Sequence, residues 1–258
     1  MSGDPHWPYV QARLQARHGE RLDEAGWRAL EAAQAADAFL DRARAGSLRR
    51  FAEQVNANLS SHAVERALRA VWRGYVAEIA AWLPPAWRPA VLWTSLMPDL
   101  PAIDALLADA TPRWAAQDSW LAPFSEPDMT RRHAALQASP FAPLLPRDGD
   151  STPLGARWAQ HWRALWPQMS AADARALNAL ARAVRDHIVR LAHAGPQERS
   201  APHRRDLERV VTRLFRRHAA SPTAVFAHLL LTALDLERLR GVLVRRRLFE
   251  PARRRQAA

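Results

Sequence analysis

The sequence predicts an all-α protein, arranged as two helical lobes of repeated helical-hairpin units. Three observations predict it. Glycine is scarce, at 9 of 258 residues, while alanine, leucine, arginine and glutamate, all strong helix formers, are abundant. Apolar residues recur at steps of three and four, the spacing of one helix face, and no run of β-branched residues alternates as a half-buried strand would. Prolines fall between the periodic segments, where they act as punctuation.

The elements follow in order. A first helix spans residues 8–18 and stops near Gly19. A second spans 23–45, with Trp27, Leu30, Ala33 and Leu40 on its apolar side and Gly46 as terminator. A short helix follows at 48–55. The clearest helix is 61–83, where Val64, Leu68, Val71, Trp72, Tyr75, Ile79 and Trp82 mark one face and Pro84-Pro85 ends it. Helices at 85–96 and 99–108 come next. Residues 110–155 carry seven prolines and the polar run Arg147-Asp148-Gly149-Asp150, with one short helix at 128–138. This irregular stretch predicts a boundary near residue 150, between an N-terminal lobe (1–150) and a C-terminal basic lobe (151–258). Beyond it, a helix covers 154–166. Ser170 with Asp173 opens another that runs to Gly195-Pro196. A further helix covers 203–219. Ser221-Pro222 starts the last one, which runs to about residue 247 before a frayed tail.

Charge is placed unevenly. The formal net charge is +11, and all 37 basic residues are arginine. Residues 196–258 hold 15 arginines against 6 acids, whereas residues 1–195 hold 22 against 20. A basic C-terminal quarter suits an acidic protein, a nucleic acid or an anionic surface. The last helix carries Arg238, Arg240, Arg245, Arg246 and Arg247, interleaved with Leu236, Leu239, Val242 and Leu243. That interleaving predicts a packed apolar face and an outward arginine face, so these five arginines are the expected partner-binding residues.

Motifs for chemistry are missing. With no cysteine there is no disulfide, thiol nucleophile or thiolate zinc site. There is no HExxH, no GxSxG and no phosphate-cradling glycine loop. His187 and His193 are six apart, which does not place them on one helix face. The N-terminus lacks the basic and apolar regions of a signal peptide. The apolar run at 224–234, interrupted by His228 and Thr232, is shorter than a membrane span requires. A non-enzymatic, cofactor-free cytoplasmic protein is the expectation. Of the eleven tryptophans, those on helices are expected in the core, with Trp162 and Trp166 as alternative interface residues.

Two segments sharpen this. Tyr9-Val10-Gln11-Ala12-Arg13 is similar to the Tyr-x-x-Ala-Arg opening of the V-type ATPase C/d subunit family. Leu234-Asp235-Leu236-Glu237-Arg238-Leu239 resembles that family's recurring "Asp, apolar, x, Asn, Leu, basic" helix, with Arg238 where Asn is usual. Asp99-Leu100-Pro101-Ala102-Ile103 is a weaker echo of the second, at a constant offset of 136. The resemblance implies a structural coupling subunit in ion transport. Its partners would be the proteolipid ring and central shaft of a rotary ATPase, and it would meet the membrane only through that complex. It makes Tyr9, Ala12, Arg13, Asp235, Leu236 and Leu239 packing residues, with Tyr9 and Leu14 buried and Arg13 beside another element. The alternative is a basic helical module that binds nucleic acid or another polyanion through the C-terminal arginines.

Overall fold

The computed structural model describes residues 6–108, 113–146, 151–193 and 200–256. Asp148, Asp150 and Gly195-Pro196 lie outside them. The regular structure among the described residues is helical, with no strand. In chain order the helices are α1 (His6–Gly19), α2 (Glu24–Glu31), α3 (Ala36–Ala45), α4 (Arg49–Ala52), α5 (Ser61–Ala81), α6 (Arg88–Trp93), α7 (Leu100–Leu107), α8 (Arg113–Ala116), α9 (Met129–Gln137), α10 (Leu154–Ala164), α11 (Ala171–His193), α12 (Ser200–Arg217) and α13 (Pro222–Gln256). Short 3₁₀ turns at Pro85–Trp87 and Thr94–Asp99 precede α6 and α7.

Local chemistry sets many of these ends. The Asp23, Ser60 and Asp128 side chains accept hydrogen bonds from the amides of Gly26, Ala63 and Arg131, and so satisfy first-turn donors. Ser170 accepts from the Asp173 amide at 3.1 Å and donates to its carboxylate at 2.7 Å, at the capping-box spacing. Ser221 behaves differently from the expected cap. Its hydroxyl donates back to the His218 carbonyl at 2.6 Å. The turn before it is made by Ala220 at φ 52°, whose amide donates to Gln11 Oε1 at 2.8 Å. The expected helix 23–45 is two helices: Ala32 ends α2 still in helical geometry, and the backbone is extended at Ala35 before α3 begins. The last helix runs past its expected end, through Gln256.

Two compact units result. Residues 1–84 and 168–258 form one, and residues 85–167 form the other. The boundary expected at 150 therefore falls inside the second unit. The reason lies in what the two regions bury. In the first unit, α13 packs on α1, α3, α5, α11 and α12, so the C-terminal helices share a core with the N-terminal ones. On α5 the predicted face is buried at Val64, Leu68, Trp72, Tyr75 and Ile79, together with Val76, while Val71 is only half-buried. On α13, Leu229, Leu231, Leu239 and Val242 are buried. Each such side chain contributes about 1.5–3 kcal/mol on burial.

In the second unit the proline-rich stretch is a packed structure rather than a linker. Phe141 is fully buried and meets Phe124 and Trp120 edge-on, at 5.4 and 6.2 Å between centroids. Arg157 of α10 donates to the carbonyls of Leu144, at 2.7 Å, and Thr152, at 2.5 Å, which ties down backbone that forms no helix ladder. Trp93 stacks on Trp158 and donates to its carbonyl at 3.1 Å. Trp162 is buried, stacked on Trp158 and edge-on to the half-buried Trp166. Trp162 thus serves the core of this unit. The stretch Pro85–Leu107 has the length and apolar composition of a membrane span, yet half of it is buried within the protein.

Candidate functional site

Of the arginines expected on an outward face of α13, Arg238 and Arg246 are turned inward, while Arg240 and Arg245 are exposed. Arg238 is only 15% exposed. Its guanidinium donates to Glu24 at 2.8 Å and to Glu31 at 2.7 Å, and lies 4.8 Å from the Trp27 ring centroid. The Glu24 hydrogen bond to Arg238 holds that carboxyl below its usual range. Arg246 donates to the carbonyls of Glu31 and Ala35, both at 3.0 Å, and covers Phe39 at 4.4 Å. It satisfies a carbonyl at the C-terminal end of α2, whose last turn already carries Arg28. Arg240 pairs with Glu65 of α5. Only Arg245 of the expected set is exposed and makes no ion pair among the described residues. The side chain of Arg247 lies outside them. The apolar half of the pattern holds, since Leu236, Leu239, Val242 and Leu243 are all buried.

Asp235 does more than pack. It is buried and forms a two-pronged ion pair with Arg21, Nε to Oδ2 at 2.7 Å and Nη2 to Oδ1 at 2.9 Å. Arg21 also donates to Glu208 of α12, at 3.0 Å, and to the Leu231 carbonyl, at 3.3 Å. Burial raises the Asp235 carboxyl, while the Arg21 hydrogen bond pulls it back. Burial likewise works against the Arg21 charge, but Asp235 and Glu208 outweigh it and its pKa rises. One side chain thus links the α1–α2 turn to both α12 and α13.

Beside this pair runs a chain of buried polar groups. His228 Nε2 lies 2.6 Å from the Tyr75 hydroxyl, and Thr232 Oγ1 donates to the His228 carbonyl at 3.1 Å. Burial, with His18, Arg21 and Arg17 nearby, lowers His228 to about 3. Burial, with Arg21 and Arg216, lowers His18 to about 4. His18 lies against Phe215 at 4.4 Å.

Two clefts open on this core. One, about 650 Å³, is lined by Tyr75, Thr232, Asp235 and Arg21 together with Arg17, Arg49 and Arg50. Its arginines are spoken for: Arg17 and Arg50 share Glu78, and Arg49 pairs with Glu53. The other, about 450 Å³, lies between α2, α12 and α13 and is lined by Trp27, Arg204, Arg205, Arg238, Gly241 and Arg245.

The α1 motif residues sit at the surface. Ala12 is exposed and Tyr9 is 51% exposed, which corrects the expectation that Tyr9 is buried. The buried residues of α1 are Val10 and Leu14. Arg13 does meet another element, with its guanidinium 4.4 Å from the Trp82 ring centroid and bonded to the Tyr9 hydroxyl. Helix rotation explains the difference, because residues 10 and 14 share a face that residues 9 and 13 do not. His187 is buried and lowered, chiefly by that burial, while His193 is exposed and bonded to its own helix at Val189. Among the described residues no group of three or more His, Asp or Glu could hold a metal.

No protein-family model, curated protein or solved structure matches this chain.

Proposed function

We propose that the protein is a non-catalytic coupling subunit. It resembles the C/d-type subunits that join the ring and central shaft of V-type rotary ATPases. The observation that carries this reading is the cross-bracing of α13. The helix that bears the second family motif is tied to α2 by Arg238, to α5 by Arg240 and to the α1–α2 turn by Asp235. Ion pairs between elements fix the geometry of a helical unit, and a component that passes force between neighbours needs that fixity. The reading assigns the remaining exposed arginines to a protein partner and places the chain at a membrane only through its complex.

The alternative, a nucleic-acid or polyanion module, draws on Arg204, Arg205 and Arg245, which form no ion pair among the described residues. Two features count against it. The aromatic that lines the cleft, Trp27, is buried under Arg238, so it offers no base a stacking platform. Glu237, Glu208 and Glu24 line the same cleft and repel a phosphate backbone. Titration with RNA and duplex DNA at 0.15 M salt is expected to give only the weak, salt-sensitive binding of any basic surface, with a Kd of ~10⁻⁴–10⁻⁶ M. Submicromolar affinity that persists above 0.2 M salt would overturn the coupling reading in favour of the alternative.

A further inference from the structure

From the outer faces of α12 and its neighbour α11 we infer a docking surface for an acidic helix of a protein partner. The inference rests on the protein-partner reading above and adds where, and by what chemistry, the partner is held. The first ground is the way α12 divides its faces. Leu207, Val211 and Phe215 repeat at four-residue steps and are buried, whereas Arg209, Arg213 and Arg217 repeat at the same step and are exposed. Arg216 is exposed beside them. The second ground is the charge balance. α11 lies against α12. Arg204, Arg205 and Glu208 line the cleft where five arginines meet five acids. Without those three, α11 and α12 carry eight arginines and three acids. The acids are answered locally, Asp186 by Arg185, Asp206 by Arg209, and Asp173 by the Ser170 hydroxyl. Arg175, Arg182, Arg190, Arg213, Arg216 and Arg217 are exposed and form no ion pair among the described residues. Arg216 reaches His18 only through its field, and burial holds that ring neutral. No acid of another element pairs with these six among the described residues, so the positive balance survives when partners are counted. Arg216 and Arg217 complement the dipole at the end of α12, but that effect fades within the last turn and does not extend to Arg213, Arg182 or Arg175.

The third ground selects the occupant. Val210, Ile188 and Val189 stand among these arginines at 40%, 59% and 48% exposure. Side chains of a second protein cover such residues, whereas a phosphate backbone leaves them wet. The same faces offer no exposed Phe, Tyr or Trp on which a base could stack, and the Asn178 carboxamide is turned back onto the Ala174 carbonyl. Leu177, Leu180, Leu207 and Val211 are buried in the protein, so neither helix has a continuous apolar face to sink into a bilayer. A helix with Glu at every fourth position spaces its carboxylates about 6 Å apart along its axis, the same rise that separates Arg209, Arg213 and Arg217. Guanidiniums fork onto carboxylates in that register.

The test uses the full-length protein and a fluorescein-labelled helical peptide of about 20 residues, with Glu at every fourth position beside Leu in an Ala background. Anisotropy is read at about 0.15 M salt, where distant exposed charges are screened. Controls are the same peptide with Lys for Glu, an RNA of about 20 nucleotides, and vesicles of phosphatidylcholine with about 30% phosphatidylserine. The Glu peptide is expected to bind and the Lys peptide not to. Arg209→Gln/Arg213→Gln/Arg217→Gln should weaken binding by about tenfold or more, the loss of three exposed ion pairs, with the helical signal and Tm retained. Arg42→Gln/Arg131→Gln/Arg163→Gln removes as much charge from exposed positions elsewhere and should bind like the parent. Full-strength binding by the α12 variant, an equal loss in the second variant, equal binding of the Lys peptide, no peptide binding at all, or tighter binding of RNA or vesicles than of the Glu peptide would overturn the surface assignment. If the peptide fails while RNA also binds weakly, the coupling reading stands and only the surface is wrong. Submicromolar RNA binding overturns both.

Discussion

Replacing Asp235 with alanine is expected to lower the unfolding free energy by about 3 kcal/mol. Removing one partner of a buried pair typically costs ~3–5 kcal/mol, because a charge is left buried without its counter-ion. Here Arg21 keeps Glu208, which is 35% exposed and so a weaker partner, and this places the loss at the lower end. Arg21→Ala should cost at least as much. It leaves the buried Asp235 carboxylate with no cation, and it also frees the Leu231 carbonyl. The double replacement Arg21→Leu/Asp235→Leu should cost clearly less than the sum of the two single changes, since neither charge then remains. Urea unfolding followed by circular dichroism measures all three. A loss under about 1 kcal/mol for Asp235→Ala, well below the usual cost of an orphaned buried charge, would mean the pair does not brace the unit.

The second large effect is acid lability between pH 7 and 5. His228 and His18 are held neutral in the folded protein, at about 3 and about 4, against an ordinary value near 6.5. The folded pKa is depressed, so below pH 6.5 the unfolded chain binds protons that the folded chain refuses. Stability is fully present above pH 6.5 and is lost as the pH falls toward the folded values. By pH 5 the gap of about 1.5 units amounts to about 2 kcal/mol for His228. His18 is only half-buried and adds a smaller loss. Of the carboxylates with shifted values, Glu24 is lowered and adds to acid loss, whereas Asp235 is raised and opposes it. The urea midpoint should therefore fall steadily from pH 7 to 5 in the parent protein. His18→Phe, which keeps a ring against Phe215, should reduce the slope. A flat profile across this range would contradict the buried, neutral histidines.

These two effects also show what the sequence could and could not disclose. The helices were legible because their signals are local. Val64, Leu68, Trp72, Tyr75 and Ile79 lie along one helix, and all are buried. Ser170 and Asp173 are three residues apart, and they bond each other. The interleaved Leu236, Leu239, Val242 and Leu243 likewise disclosed the buried face of α13. What the pattern could not disclose was the destination of the arginines between them. Arg21 and Asp235 are 214 positions apart, as are Glu24 and Arg238. No periodicity links them, so a helix face that alternates with leucines looked solvated when Arg238 and Arg246 in fact cross onto α2. The local hint was the cluster Glu20, Asp23, Glu24 and Glu31, an acidic patch in the N-terminal part that a distant cation could answer. The domain boundary failed for the same reason. Proline density around residues 110–155 marks short elements, and whether short elements form a linker or a core depends on partners such as Phe141 and Arg157. The Tyr9 expectation failed through register, since the motif fixes residue types but not the rotation of α1.

Purification of the tagged protein from its native cells, at 0.15 M salt and after nuclease treatment, tests the coupling assignment most directly. The account predicts that ring and central-shaft subunits of a rotary ATPase are recovered in stoichiometric amounts by mass spectrometry, undiminished by the nuclease. Recovery of RNA or DNA as the main companion in the untreated preparation, with those subunits absent from both, would contradict it.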